Sequence, residues 1–202
     1  MALNANALVT RDQAKEHIGI PLTNNVQNTV VDLFVNAASQ MIETYTDRKL
    51  VSVQQPDEYH HGRRQNFIQP RQWPVTSIVE LRIDNEREFT DATTLIDASD
   101  IFIADAGQTI LYDGHFPNGF SNIRVRYVAG YATIPADLQL ACLWLVEWYY
   151  RHRERQDIGR TSSSKGDESV GVLSNMPEMI TEIIESYKRT EAPSINSPVE
   201  NL

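Results

Sequence analysis

The chain has 202 residues and a formal net charge of −9, from 18 lysines and arginines against 27 aspartates and glutamates. Its composition, 41% apolar and 22% charged, is typical of globular proteins, and its longest apolar run, residues 140–146, is far shorter than the about 20 residues of a membrane span. This acidic balance argues against a nucleic-acid-binding protein held by phosphate contacts.

Two helices are predicted near the start of the chain. A capping-box pattern at Thr10 predicts a short helix, which Gly19 ends. Apolar residues at three- and four-residue steps then predict a longer amphipathic helix from Thr23 or Asn24 to about Thr46. Its predicted apolar stripe comprises Val26, Val30, Leu33, Phe34, Ala37, Met41, Ile42 and Tyr45. The polar residues predicted to lie mostly off this stripe are Asp32, Asn36, Gln40 and Glu43.

From Leu50 onward the helical spacing of apolar residues ends, and two stretches alternate apolar with polar residues, which is typical of half-buried strands. The clearest strands are residues 77–84 and 122–127, and shorter candidates are residues 58–60, 66–69, 101–104 and 109–112. Turn pairs such as Asp113-Gly114 separate them. Residues 50–130 are therefore predicted to form an antiparallel β lobe inserted between helices.

A third helix is predicted to begin at Pro135, and its residues 138–150 are apolar on nearly all sides. Such a helix belongs at the centre of a bundle or in a subunit interface. The residues predicted to serve as core or as interface are Leu138, Leu145, Trp148 and Tyr149. Cys142, the only cysteine in the sequence, is expected to be a buried structural thiol in a chain that folds in a reducing compartment.

The last part of the chain is less apolar. The Gly/Ser-rich residues 157–171 predict a flexible loop, residues 177–188 predict a final helix, and residues 190–202 predict an extended tail. The expected fold class is thus α+β: an antiparallel helix bundle from residues 1–49 and 131–189, with an inserted β-rich lobe at 50–130 and the tail at 190–202.

Candidate chemical sites are weak. Adjacent strand residues such as His60 and His61 point to opposite faces, so one metal ion would not readily take both. Ser162 and Lys165 fit a Ser-x-x-Lys pattern, but that pattern needs a helical turn and here it lies in a Gly/Ser-rich stretch. The residues themselves therefore predict no evident active site, no metal site and no cofactor.

Three stretches, in their order, resemble one known family. They are residues 37–48, which end in Tyr45-Thr46-Asp47-Arg48; residues 73–78, which begin Trp73-Pro74; and residues 127–141, which contain Gly130-Tyr131 and Pro135. This order resembles the head–tail connector (head-completion adaptor) proteins of tailed bacteriophages. The resemblance covers about residues 8–155 and, more loosely, the last helix.

The resemblance implies a structural virion protein, not an enzyme, that is made in the bacterial cytoplasm and located at the head–tail junction. Such adaptors form a ring of identical copies, usually dodecameric, beneath the portal protein. The ring extends the DNA channel, so DNA only passes through it, and it offers a platform for the tail or the next neck protein. No membrane partner is implied.

Two sets of contact residues follow as hypotheses. Ile195, Val199 and Leu202 are spaced apolar groups in the tail that would dock onto the portal, as the C-terminal segments of such adaptors do. Arg160 and Lys165 would meet the acidic surface of a neighbouring copy. Two alternative functions stay open: another neck or tail-completion protein of the virion, and a small serine hydrolase that uses residues 162–165.

Overall fold

The computed structural model describes residues 2–155 and 178–188. Its helices are α1 (Arg11–Ile18), α2 (Asn28–Thr46), α3 (Ala136–Arg155) and α4 (Glu178–Glu185). The strands between α2 and α3 are β1 (Val53–Gln54), β2 (Glu58–Gly62), β3 (Phe67–Ile68), β4 (Val75–Ile83), β5 (Ile101–Ala104), β6 (Thr109–Tyr112) and β7 (Gly119–Ala129). The predicted α+β class is confirmed.

Helix α1 begins at the predicted capping box. The Thr10 hydroxyl accepts a hydrogen bond from the Gln13 backbone N–H at 3.2 Å, and the Gln13 side chain accepts one from the Thr10 N–H at 2.8 Å. Gly19 follows the helix at φ 78°, a left-handed conformation that costs glycine little. Both predicted ends of α1 are confirmed.

Helix α2 begins later than predicted, and its apolar face is rotated. The residue before it, Gln27, makes no side-chain capping bond, while Asn24 instead accepts a hydrogen bond from the Val26 N–H within a turn. Val26 is 91% exposed, so it lies outside the core. The apolar residues that α2 buries are Val31, Val35, Ala38 and Ile42. The predicted stripe was therefore right at Ile42 but wrong at Val26, Leu33, Ala37 and Met41, which are all exposed.

The prediction that polar residues lie off the buried face of α2 was also wrong. Asp32, Asn36 and Glu43 are all buried, because the N-terminal segment and α1 pack against that side and supply hydrogen bonds. The Arg11 guanidinium donates to both Asp32 oxygens at 2.6 and 2.7 Å, and Asn36 accepts from the Asn4 N–H at 2.9 Å. Buried polar groups are tolerated when they are paired in this way.

The helices share one hydrophobic cluster. Gln27, just before α2, accepts a hydrogen bond from Tyr150 late in α3, whereas Ser39 late in α2 lies 3.7 Å from Cys142 early in α3. The two helices therefore run in opposite directions. Ile180 and Ile184 attach α4 to the same cluster.

Helices α3 and α4 differ slightly from their predicted limits. Helix α3 begins one residue after Pro135, and α4 ends at Glu185, with a turn where residues 186–188 were predicted to be helical. None of the helices in the described ranges is long and apolar enough to cross a membrane.

The strands form two antiparallel sheets. In the first, β7 pairs with β1 and β2 along one side and with β4 along the other; in the second, β6 lies between β3 and β5. A second hydrophobic cluster lies between the sheets: Ile68, Val75, Leu81, Ile110, Phe116, Ile123, Val125, Tyr127 and Ala129. The predicted antiparallel pairing is confirmed, and the division into two sheets was not predicted.

The predicted strand limits vary in accuracy. Strands β5 and β6 have the predicted bounds, while β4 begins two residues earlier and β7 extends beyond its prediction at both ends. β1 was missed, since two residues are too few to show an alternating pattern.

Candidate functional site

The three stretches noted in the sequence converge on Arg48, directly after α2. Its guanidinium carbon lies 3.2 Å from the centre of the Trp73 ring and 5.8 Å from that of Tyr131. Arg48 Nη1 donates to the Tyr187 carbonyl at 2.8 Å, and Nη2 donates to the Trp73 carbonyl. One side chain thus connects α2, the segment before β4, the segment after β7 and the turn after α4. We call these residues the Arg48 junction.

Arg48 is only 2% exposed, which is unusual for an arginine. Within residues 2–155 and 178–188 no carboxylate pairs with it, and its Nε has no hydrogen-bond partner. Burial lowers the pKa of Arg48, while contact with Tyr131 opposes that shift. Stacking on Trp73 and two carbonyl acceptors therefore stabilise the buried cation in place of an acidic partner.

Tyr187 fixes α4 against this junction. Its hydroxyl donates to Asp137 in the first turn of α3 at 2.7 Å, and its ring meets the edge of Tyr131 at a centroid distance of 6.1 Å. Burial and the bond to Asp137 raise the pKa of Tyr187, so the phenol keeps its proton at neutral pH. The chain therefore leaves the described region at a fixed point.

A polar cleft of about 400 Å³ lies beside β2, and Glu58 is the most buried acid in its wall. Glu58 accepts hydrogen bonds from the Tyr127 hydroxyl at 2.5 Å and from the Arg71 backbone N–H at 3.1 Å. Burial alone would raise the pKa of Glu58, but His60, Tyr127 and the Arg71 N–H outweigh it and hold that pKa below its ordinary value. This ionised, fully bonded carboxylate braces the sheet rather than shuttling protons.

The histidine pair lies on opposite sides of β2, as strand geometry predicts. His60 Nε2 is 2.8 Å from a Glu58 oxygen, whereas His61 accepts a hydrogen bond from the Ser121 N–H and stacks on Phe120 at 4.4 Å. Across the described part of the chain, no group of three histidine, cysteine, aspartate or glutamate side chains has the geometry of a metal site.

The four residues predicted as core or interface separate into two pairs. Leu138 and Leu145 are buried within the chain's own helical cluster, at 0% and 1% exposure. Trp148 and Tyr149 are half-buried at the border of that cluster, with Tyr149 next to Phe34 at a centroid distance of 5.9 Å. Only the second pair keeps surface that a neighbour can contact.

Cys142 is fully buried beside Ser39. Burial raises the pKa of its thiol to about 12, which agrees with the expectation of a structural thiol. The other predicted residues lie outside the described residues: Arg160, Ser162, Lys165, Ile195, Val199 and Leu202.

Sequence reasoning missed the Arg48 junction as a site. The signal was present, because Arg48, Trp73 and Tyr131 each belong to one of the three stretches. Nothing in their spacing indicates that they meet, since strand pairing, rather than separation along the chain, brings Trp73 and Tyr131 together: Val75 of β4 pairs with Ala129 of β7.

Comparison with known proteins gives matches over nearly the whole chain. A model of the head completion protein family matches residues 7–190. A search of the curated proteins gave no match. A chain from the neck of an empty GTA particle, computed with C6 symmetry, matches at 16% identity and a TM-score of 0.60, covering 96% of each chain.

Two further chains match similarly. One, from the virion of a native gene transfer agent (GTA) particle, has 18% identity and a TM-score of 0.60 and covers 96% of this chain and 95% of that one. The other, from the neck of a native GTA particle computed with C12 symmetry, has 17% identity and a TM-score of 0.57 and covers 96% and 98%. At these identities the likeness shows a shared fold.

Proposed function

The chain belongs to the head completion protein family, as its sequence resemblance predicted, and we propose that it forms a ring beneath the portal that joins head to tail. In this role the ring extends the DNA channel at the head–tail junction of the virion. The single observation that carries the proposal is the family match over residues 7–190. The likeness to chains from particle necks, over nearly their whole length, supports it.

The proposed partners are the portal protein, the tail or next neck protein, and further copies of this chain. C6 and C12 symmetry in the necks that contain the similar chains supports a closed ring, with twelve copies as the proposed number. Because the net charge is −9, a wall of such copies repels DNA phosphates, which suits a channel through which DNA slides.

Within the subunit we interpret the four helices as an antiparallel bundle that carries the ring, with the β-rich lobe inserted in it. Trp148 and Tyr149 are proposed to contact a neighbouring copy, because α3 leaves part of both rings uncovered. Arg160 and Lys165 are proposed to meet the acidic surface of the next copy.

The tail at residues 190–202 is proposed to bind the portal through Ile195, Val199 and Leu202. Two observations support this. The Arg48 junction holds Tyr187, which lies three residues before the tail in the sequence, and the apolar residues of the tail are separated by polar ones. Each apolar group contributes about 1.5–3 kcal/mol if fully buried in a partner.

The test is binding to the portal oligomer of the same virus, measured by co-sedimentation for the full chain and for a chain truncated after Arg189. The full chain should bind in many copies. The truncated chain should fold normally, as judged by circular dichroism, and lose binding. If the full chain does not bind the portal but binds purified tails, it is instead a tail-completion protein.

A further inference from the structure

The second sheet has an exposed apolar face. Phe67 of β3 pairs with Leu111 of β6, and Leu111 pairs with Phe102 of β5. Directly paired residues of antiparallel strands point to the same face. Phe67 is 41% exposed and Phe102 is 52% exposed, and none of the three belongs to the cluster between the sheets. We call Phe67, Leu111 and Phe102 the apolar row; it runs from one edge of the sheet to the other.

The edge at β3 is basic. Between Glu58 and Glu80 the sequence has no acidic residue, but it has Arg63, Arg64 and Arg71. All three are exposed, two just before β3 and one just after it. In the part of the chain that the structure describes, the side chains of Arg63 and Arg64 form no ion pair or hydrogen bond. Arg71 instead lies 3.8 Å from Glu58, which offsets its charge. Arg63 and Arg64 are called the basic edge.

The opposite edge at β5 is acidic. Between Arg87 and Arg124 the sequence has no lysine or arginine, but it has six acidic residues. Asp97 and Asp100 precede β5 and Asp105 follows it, and none of them forms an ion pair within residues 2–155 and 178–188. These three aspartates are called the acidic edge. The same sheet therefore carries opposite, uncompensated charge on its two edges.

We propose that this sheet is a contact surface for a second copy of the chain, the basic edge of one copy meeting the acidic edge of the next. When two different edges of identical copies meet, the contact is head-to-tail. Such contacts close into a ring when the rotation between copies allows it. Phe102 on one edge strand would then lie close to Phe67 of the neighbour, so the apolar row becomes continuous. The inference rests on the proposed ring function.

The charges also restrict which strands can pair at these edges. An exposed edge strand invites pairing, and charged side chains on it discourage indiscriminate pairing while permitting an oppositely charged partner. The contact is predicted to weaken as salt rises, since the Debye length falls from about 10 Å at 0.1 M to about 3 Å at 1 M.

The experiment reverses one edge at a time and counts copies on the portal by cryo-EM. The basic-edge variant carries Arg63→Glu and Arg64→Glu, and the acidic-edge variant carries Asp100→Lys and Asp105→Lys. With either variant alone, the number of closed rings should fall at least about tenfold, because like charges then meet at every contact between copies. An equimolar mixture should restore rings, because alternating variants place opposite charges at each junction.

The matched control is Arg87→Glu. Arg87 and Arg64 are both exposed arginines with a positive φ, 66° and 57°, but Arg87 lies in the loop after β4. Its reversal should leave the copy number unchanged. For the apolar row, Phe102→Asp should reduce ring formation, whereas Phe120→Asp, at a phenylalanine that is 70% exposed on the other sheet, should not.

Cross-linking tests the same contact between copies without reversing the charge of either edge. Chains carrying Arg63→Cys and chains carrying Asp100→Cys, mixed on the portal, should be joined by a short bismaleimide, and either variant alone should not. Cys142 is fully buried and does not compete.

The outcomes separate the two proposals. Wild-type chains that form no ring on the portal overturn the proposed function and this contact with it. Full rings from each reversed variant, with no mixed cross-link, overturn the edge contact alone. The reversed variants could instead form full rings that no longer bind the next neck protein or the tail. That result would assign the surface to that partner and would likewise overturn the contact between copies.

Discussion

Arg48 combines tasks that are usually shared by several side chains. It packs on an aromatic ring and satisfies two carbonyls of segments far apart in sequence, those of Trp73 and Tyr187. Because no acid in the described ranges pairs with it, the packing has to be close for the charge to stay buried. The junction is therefore sensitive to shape as well as to charge.

Replacement of Arg48 by methionine should destabilise the chain by about 2–4 kcal/mol, since two buried carbonyls lose their donor and Trp73 loses its cation. Arg48→Lys keeps the charge but not the planar stacking, and it should fall between wild type and Arg48→Met. Urea unfolding measures both. The exposed control Arg63→Met should change stability by less than about 0.5 kcal/mol, and an equal loss at both sites would contradict a special role for Arg48.

Glu58 gives the stability of the chain a pH dependence. Its pKa is lowered on folding, so its contribution is present above the ordinary glutamate pKa of about 4.3 and is lost as pH falls through the lower folded value. Glu58→Gln should therefore unfold more easily than wild type at pH 7, and the difference should shrink on acidification. Urea titrations at several pH values measure this, with the exposed Glu86→Gln as the control.

Cys142 should resist thiol reagents in the folded protein. It is fully buried, and burial raises its pKa to about 12, so almost no thiolate is present at pH 8. Labelling should require unfolding and should become fast in urea. Thr44→Cys, at an exposed position of α2, supplies a thiol that should react at once. Rapid native labelling of wild type would show that the helical cluster opens.

At the residue scale, sequence reasoning succeeds where a motif is local. The Thr10 capping box is complete within four positions, and the opposite orientation of His60 and His61 follows from the strand pleat. It fails where partners are distant. The burial of Asp32 depends on Arg11, and that of Asn36 on Asn4 of the N-terminal segment, and no pattern within α2 reveals either partner.

At the scale of elements, α3 divides into a buried and a partly exposed side. Its all-round apolar composition predicted a central or interfacial position but could not say which residues face inward. Leu145 is 1% exposed whereas Leu140 is 38% exposed, although the sequence treats them alike. Which residues of α3 face inward depends on how α2 and α4 pack against it, and this packing is a tertiary feature.

Leu145→Ala should cost about 2–5 kcal/mol of stability, because it leaves a cavity in the helical cluster to which Leu145 belongs. Leu140→Ala removes the same atoms from a partly exposed site on the same helix and should cost less than about 1 kcal/mol. Thermal or urea unfolding of the two variants makes the comparison. Similar losses would mean that the two sides of α3 are equally buried.

The strand pattern was easier to predict than the sheets. Alternation identified β4 and β7 because each has a buried and a more exposed face. The shorter β5 and β6 were predicted as segments between turn residues. Neither pattern could divide the strands between two sheets, since pairing partners are set by long-range register. The apolar row and the charged edges therefore became visible only when β3, β6 and β5 were placed side by side.

At the scale of the whole molecule, family membership and geometry support the same role in different ways. The family match supports a place in the virion, and the sheet supplies unlike edges with which identical copies can meet in sequence. The Arg48 junction connects the helices to the first sheet, and the hydrophobic cluster between the sheets connects the first sheet to the second.

The most direct test of the central claim is a cryo-EM map of the portal complex purified with this chain bound. We expect a closed ring of identical copies coaxial with the portal, with a channel wide enough for DNA. Within each copy, residues 48, 73 and 187 should meet as they do in the free chain. A map in which the chain is absent from the portal axis, or is bound as isolated single copies, would contradict the proposed function.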